Sequence, residues 1–549
     1  MNLKIIDSIG PFFLFNKNKT INWSRIHFED IEKNWRLDKK KANTIIKEFE
    51  KFVIKIKEIG YNTISIDDLA HLTNFKFYNK KTKILLNDYS VFFKKLFLIA
   101  KKENIKILIN TDIMFFNQEI EKITRNKFKN IIIVFKEALE YAFKDYDIDG
   151  IITRIGECDG IDVTSKFKSK LTIKSPRQAN KFLKDILPVI EANNKILLFR
   201  TWTVGAYNIG DLIWNKNTYD KTFKDIKSKN LIISMKPGDT DFFRNIDVNP
   251  LFFHGSHMKI LELQAKRERE FNGLIPYYNG WEYEQYINKL KSKIVGITVW
   301  CQTGGWSKYN TITFLKNSSQ WNELNTYACL KIYEGHNPDR CITQIYDQKM
   351  LIFLKKYDDA LHSILYPDQK SLYFRRARIP NLSWVHWDYI TINQITESIN
   401  KLSKINNDNK NEIKNNDTNI NFEELFELGK KCKIENIKMH IESLKILTLS
   451  KQALHDKNAK KELINSISEY KKNYPDGINF NINLSNKNSI LNPILFRIFI
   501  RTKSQYRIID HILMLRPFSW PFLIYLKSNK KKLPHFINKQ AMKIDVLFK

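Results

Sequence analysis

The chain has 549 residues, 43% of them hydrophobic and 13% aromatic, enough for packed cores, which excludes a wholly disordered polypeptide. Lys and Arg number 91 against 59 Asp and Glu, a formal net charge of +32; because Lys, Asn and Ile abound everywhere, most of the excess reads as solvated surface, and the remainder divides among an anionic substrate, a membrane surface and nucleic acid. No stretch approaches the roughly 18 uninterrupted apolar residues of a spanning helix, the N-terminus lacks a secretory pattern, and Cys158, Cys301, Cys329, Cys341 and Cys432 form no C-x-x-C pair or disulfide framework, so a soluble or peripheral protein of a reducing compartment, the cytoplasm, is expected.

In chain order, the predicted strands are Pro11–Phe15, Thr63–Asp67, Ile105–Asp112, Gly150–Ile155, Lys195–Thr201, Asn230–Lys236, Lys259–Gln264 and Lys293–Trp300. They start 52, 42, 45, 45, 35, 29 and 34 residues apart. Helical patterns lie between them. Ile45, Phe49, Phe52, Val53 and Ile56 make one apolar face, and Tyr89, Phe92, Phe93, Leu96 and Ala100 make another. Ser175-Pro176 opens a third helix, with Ser as N-cap and Pro at the first helical position.

Eight strand–helix repeats predict an α/β fold, a (β/α)₈ TIM barrel over residues 1–340. A doubly wound open sheet is the alternative, weakened by the absence of a Gly-rich phosphate turn after any strand. Residues 341–403 read as a connecting segment, with a basic aromatic patch at Arg375, Arg376, Arg378, Trp384 and Trp387. Residues 404–421 read as a polar linker or mobile loop, and 422–549 as a basic, mainly α-helical C-terminal region.

In such barrels the chemistry sits where strands end. Glu157 follows strand 4, Arg200 and Trp202 end strand 5, and Lys236, Asp239 and Asp241 follow strand 6. Glu262 and Gln264 lie on strand 7, with Glu268 and Glu270 beyond it; Trp300 ends strand 8 and Trp306 follows. A lone carboxylate of this kind is commonly a surface ion pair or a loop cap, but carboxylates from three strands beside cations and indoles suit a carbohydrate site. Two carboxyl groups flank a scissile bond there, and flat rings underlie the sugars. Side chains alternate along a strand. If Glu157 points into the mouth, Thr153 and Ile155 share its side and Arg154 does not. Glu262 shares a side with Gln264 and is expected deep in the barrel as a buried hydrogen-bonded group.

The stretch 150–337 resembles the catalytic barrel of the family 67 alpha-glucuronidases. Glu157 matches the family's Glu after strand 4, and Arg200 its aromatic-flanked Arg on strand 5. Met235-Lys236-Pro-Gly-Asp-Thr-Asp241, Pro250-Leu251-Phe252, Leu261-Glu-Leu-Gln264 and Glu270-Phe-Asn-Gly273 follow the family's order, as do Gly296-Ile297, Trp306, Asn325 and Asn337-Pro338. The resemblance implies an inverting glycosidase acting on an acidic, uronic-type sugar. Glu157 would be the general acid, and Asp241 and Glu270 candidates for the base side; because two extra residues precede Glu270, Glu268 is a third candidate. An inverting pair stands about 6.5–9.5 Å apart and a retaining pair about 5–5.5 Å. Arg200 and Lys236 would hold the sugar carboxylate, with Trp202, Trp300 and Trp306 as sugar-contacting rings. The family's third cation, a Lys, falls on Thr153, and Arg154 takes its place only in an irregular strand. With strand 1 near residue 11, the family's N-terminal non-catalytic domain is not expected.

No cofactor is expected and no metal: His254 and His257 read as loop residues. The expected partner is an oligosaccharide or polysaccharide. Residues 511–536 combine aromatics with Lys530, Lys531 and Lys532, which suits peripheral membrane contact or, as the preferred reading, a core helix interrupted by Pro517 and Pro521. No zinc-finger or RNA-recognition signature supports nucleic acid. Two other readings stay open: a non-catalytic glycan-binding or assembly module, and a retaining barrel glycosidase.

Overall fold

The computed structural model describes residues 2–15, 26–155, 166–170, 172–203, 208–238, 242, 244–267, 270–301, 313–314, 318–365, 420–452, 457–475, 477–478 and 480. Eight parallel strands close into a barrel: β1 Leu3–Asp7, β2 Thr63–Asp67, β3 Lys106–Asp112, β4 Gly150–Arg154, β5 Ile196–Arg200, β6 Leu231–Met235, β7 Met258–Gln264 and β8 Gly296–Trp300. Each strand pairs with its neighbours in sequence, and β1 closes the ring between β2 and β8, with Leu3 opposite Gly296 and Ile5 opposite Thr63. The expected (β/α)₈ barrel is the fold the chain adopts.

The first strand is a correction. Pro11–Phe15 lies in a 3₁₀ helix, Gly10–Phe15, and β1 is Leu3–Asp7. The run that registers against both β8 and β2 is Leu3–Asp7, and Pro11 has no N–H to give to a neighbouring strand. Leu3, by contrast, donates its backbone N–H to the Val295 carbonyl at 3.0 Å.

Two apolar layers hold the barrel. Leu3, Ile5, Leu108, Ile152, Leu198, Ile232 and Ile260 pack together inside it. Residues of opposite parity, among them Ile64, Ile66, Ile107, Ile151, Phe199, Ile233, Leu261 and Val299, pack outward against the helices.

Those helices are α1 Lys39–Ile59, α2 Lys80–Lys102, α3 Phe128–Asp145, α4 Pro176–Ala192, α5 Lys216–Thr222, α6 Gly280–Leu290 and α7 Gln320–Tyr333. The predicted apolar faces of α1 and α2 are the buried ones. Asp38 caps α1, accepting from the backbone N–H groups of Lys40 and Lys41, and Ser175 caps α4 by accepting from Gln178 N–H. Between β6 and β7 the described helix is the short 3₁₀ turn Pro250–Phe253, consistent with the 29-residue spacing there.

Cys341–Leu365, the first part of the expected connecting segment, falls in two helices, α8 Pro338–Ile345 and α9 Gln348–Leu365. Three more follow: α10 Phe422–Lys431, α11 Ile437–Gln452 and α12 Lys457–Asn473. They join α9 around Phe353, Tyr357, Leu425, Leu444, Leu447 and Tyr470, all buried. The Arg375–Trp387 patch, nearly all of the polar stretch 404–421 and the run 511–536 lie outside the described residues. Among the described residues, no helix is long and apolar enough to cross a membrane.

Candidate functional site at the barrel mouth

The inner apolar stack fixes the direction of every strand's last residues. Counting by two from Ile5, Leu108, Ile152, Leu198, Ile232 and Ile260 places Asp7, Asp112, Arg154, Arg200, Ser234 and Glu262 inward, at the C-terminal mouth. Two charged groups result, on opposite arcs of the ring.

On the β5–β8 arc, Glu262 is fully buried and held from several sides. Arg200 donates from Nε to Oε1 at 3.0 Å and from Nη2 to Oε2 at 2.7 Å, a two-pronged fork. The Ser234 hydroxyl donates to Oε1 at 2.8 Å and the Trp300 indole N–H to Oε2 at 3.1 Å. The Arg200 guanidinium also lies over the Trp300 ring, 4.6 Å from its centroid. Burial by itself pushes the Glu262 carboxyl up; the Arg200 charge and hydrogen bonds, Lys236 and Ser234 outweigh that and hold it below its ordinary value. Glu262 is thus favoured as the anion, and it orients Arg200 and Trp300. Its expected place as a buried hydrogen-bonded group is the observed one. Lys236 is buried next to this group, its Nζ 3.9 Å from the Trp202 ring centroid and 4.5 Å from that of Phe242.

On the β2–β4 arc, Arg154 is buried between two carboxylates. Its Nε stands 3.0 Å from Asp112 Oδ1 and its Nη2 3.8 Å from Asp67 Oδ1. Asp67 Oδ2 accepts the backbone N–H of Ile26 at 2.9 Å. Burial pushes Asp67 up, Arg154 and the Ile26 bond pull it down, and Asp68 and Asp112 raise it again, leaving it at about 7. Asp68 accepts from the backbone N–H of His71 at 3.0 Å and meets its ring Nδ1 at 2.7 Å. The His71 ring is stacked 3.7 Å from Phe28. Thr153 shares its side with the outward Ile151 and Ile155, and a regular β4 turns Arg154 into the barrel, so Arg154 reaches the mouth without the irregular strand expected for it. Glu157, on which the conditional parity of Thr153 rests, lies outside the described residues.

Asp67 and Asp112 were not singled out by sequence. The signal was available, since each is the last residue of a strand at the C-terminal face.

Beyond β7, Glu270 is buried and its Oε1 lies 3.6 Å from Arg244 Nε. Arg244 also pairs with Asp358 on α9. Next to it, Asn245 meets His362 Nε2 at 3.0 Å and donates its backbone N–H to Glu282 at 3.1 Å; Glu282 in turn holds Arg267 at 2.7 Å. Glu270 therefore belongs to an ionic network that ties the loops after β6 and β7 to α6 and α9. Glu157, Asp241, Glu268 and Trp306 lie outside the described residues. His254 pairs with Asp220 at 2.5 Å, and His257 Nε2 bonds the Ile226 carbonyl at 2.9 Å. Among the described residues no group of three or more His, Cys, Asp or Glu could hold a metal ion.

Chemically the two arcs differ. The β5–β8 arc carries fixed charges and indoles, suited to orienting a ligand. The β2–β4 arc holds a carboxyl that exchanges its proton near neutral pH.

No family model matches the chain, and no curated protein matches it. Solved structures similar to it include a broad-specificity endoglucanase (GH5-4) from Clostridium longisporum, 14% identical over 61% of this chain and 97% of that one, with a TM-score of 0.37. A mutant of the O-GlcNAc hydrolase from Thermobaculum terrenum is 11% identical over 79% of this chain and 87% of that one, with a TM-score of 0.37. A β-mannanase from the blue mussel Mytilus edulis is 11% identical over 61% and 92%, with a TM-score of 0.34. The fold assignment rests on the strand order and pairing described above.

Proposed function

We propose that the chain is a glycoside hydrolase acting on a glycan that carries an acidic, uronic-type sugar. The observation that carries the reading is the composition of the mouth. Arg154, Arg200 and Lys236 come from three consecutive strands and share one end of the barrel with Asp67, Asp112 and Glu262, beside the Trp202 and Trp300 rings. Cations to hold a carboxylate, rings to underlie a sugar and carboxyl groups to move protons are the parts such hydrolysis needs. Arg200 is forked onto Glu262, so in this reading it orients the pocket, and Lys236 is the first contact for the sugar carboxylate. The motif resemblance adds Glu157 as general acid, with Asp241, Glu268 or Glu270 activating water on the opposite face for inversion.

Glu157→Gln tests it. The wild type is expected to release sugar from acidic glycosides with inverted anomeric configuration, read by NMR. The variant is expected to keep its circular dichroism spectrum and lose about 10²–10⁴-fold in turnover. Unchanged turnover removes Glu157 from the role of acid. Retained configuration points to the double-displacement alternative, and glycan binding without release across a broad panel points to a binding module.

A further inference from the structure

We propose that Asp67, Asp112 and Arg154 form an anion-selecting subsite at the mouth, in which Asp67 takes up one proton when an acidic sugar binds. This rests on the reading that the mouth receives such a sugar, and deepens it by naming the residues that choose between charged and neutral rings.

The three side chains are neighbours by construction. They end β2, β3 and β4, Asp112 pairs in register with Arg154, and Asp67 pairs with Asn110, two residues before Asp112. Two carboxylates share one guanidinium, at 3.0 and 3.8 Å. With both ionised the trio carries one net negative charge and repels a carboxylate. With Asp67 neutral the trio is uncharged, and Asp67 becomes a hydrogen-bond donor. Its Oδ2 is already occupied by the Ile26 N–H, so Oδ1 is the atom turned toward the others.

A second observation is independent of charge. Ser65 Oγ, Asn110 Oδ1 and Thr298 Oγ1 are buried oxygens that receive no hydrogen bond from the protein, and Asp67 Oδ1 and Asp112 Oδ1 are ion-paired with Arg154 without a well-aligned hydrogen bond. All five lie at inward positions of β2, β3 and β8, and Asp67 itself is fully buried. Buried polar atoms in native proteins are otherwise almost always paired, so their clustering in one sector of the barrel points to a polar ligand there.

The groups facing Asp67 are Arg154 from β4, Asp112 from β3, Asp68 beside it, which is itself tied to His71, and the Ile26 amide. Among them burial is the largest influence, and it sets the proton exchange near neutrality. Once the proton is on, Asp112 alone balances Arg154, so an acidic ligand is no longer repelled and can accept hydrogen bonds from the Arg154 guanidinium and the neutral Asp67 carboxyl. The reaction is binding alone: one sugar carboxylate and one solvent proton enter together, and no covalent bond changes.

The test is calorimetric titration of the full chain with sodium glucuronate, with glucose as the neutral control, at pH 6 and pH 8 in two buffers of different ionisation enthalpy. Glucuronate is expected to bind about tenfold more tightly at pH 6 and to take up close to one proton per molecule at pH 8, whereas glucose shows neither effect. In Asp67→Asn, glucuronate is expected to bind equally at both pH values with no proton uptake. Asp112→Asn, which removes the other shared charge, is expected to hold pH 8 binding near its pH 6 strength. Absence of glucuronate binding at pH 6, or proton uptake that persists in Asp67→Asn, overturns the subsite. Hydrolysis is not needed for the result. Proton-linked binding with no sugar released from any glycan keeps the subsite and sinks the hydrolase reading; hydrolysis of glycans with no proton linkage does the reverse.

Discussion

At residue scale, two of the carboxylates at the mouth, Asp67 and Glu262, depend on pH in opposite senses. The Asp67 carboxyl is raised from its ordinary range to about 7, so the folded chain holds this proton more tightly than the unfolded chain does. Its contribution to stability is complete below about pH 4 and is lost as pH rises through 7. Asp67→Asn removes that loss and is expected to raise stability at pH 8 by up to about 4 kcal/mol, with the gap closing toward pH 4, read from urea midpoints across that range. A variant less stable than wild type at pH 8 contradicts this. Glu262 behaves in the opposite way: held below its ordinary value, it stabilises above the unfolded carboxylate range and loses that contribution as pH falls through its folded value. Glu262→Gln leaves the Arg200 charge buried without its anion and is expected to cost about 3–5 kcal/mol by the same measurement.

Glu262 was legible in the sequence because its i, i+2 relation to Gln264 places both on one face of β7. The side that Arg154 takes is not legible in the sequence, because Gly150-Ile-Ile-Thr-Arg-Ile155 is apolar toward both the barrel interior and the helices. In a parallel strand buried on both sides, alternation carries no sign of which face is which. Only the interior stack of Leu3, Ile5, Leu108, Ile152, Leu198, Ile232 and Ile260 fixes the sides.

At the scale of elements, helices were the more readable parts. Their caps and periodic faces are local, as Ser175 with Pro176 and the stripe Ile45–Ile56 show. Strand 1 was not local. Leu3-Lys-Ile-Ile-Asp7 and Pro11-Phe-Phe-Leu-Phe15 are both short apolar runs, and what separates them is the closure of the ring between β8 and β2. Closure also explains Gly296. A Cβ there would stand 2.0 Å from the Leu3 carbonyl oxygen, a backbone atom that cannot step aside. Gly296→Ala is expected to destabilise the barrel by about 1–3 kcal/mol or more, because the seam between β8 and β1 must open to admit one methyl group. Hydrogen exchange at β1 amides is the sharpest check, since the damage should centre on that seam; an increase spread evenly over all eight strands speaks against it.

At the scale of the whole molecule, the barrel and the helices that follow it share their chemistry. Arg244, close behind β6, meets both Glu270 and Asp358, and Lys356 pairs with Glu424 on α10. Nothing local in the sequence marks these contacts, because Arg244 and Asp358 are more than a hundred residues apart. The net charge of +32 acts at the same scale. Exposed pairs such as Arg36–Asp88, Lys57–Glu103 and Lys181–Asp185 contribute about 0–1 kcal/mol each and weaken in salt. The buried Arg200–Glu262 fork is screened far less. The excess positive charge repels itself over longer distances, and its range contracts from about 30 Å at 0.01 M salt to about 10 Å at 0.1 M. Long-range repulsion loses more on screening than the short exposed pairs do, so the net effect of salt is stabilising. The melting temperature at neutral pH is expected to rise between 0.01 and 0.1 M sodium chloride. Chloride is the salt to use, since sulfate would add stability through exclusion from the surface. A fall in melting temperature over that range would mean that the excess Lys and Arg are paired locally, and that the +32 is not felt by the fold as a whole.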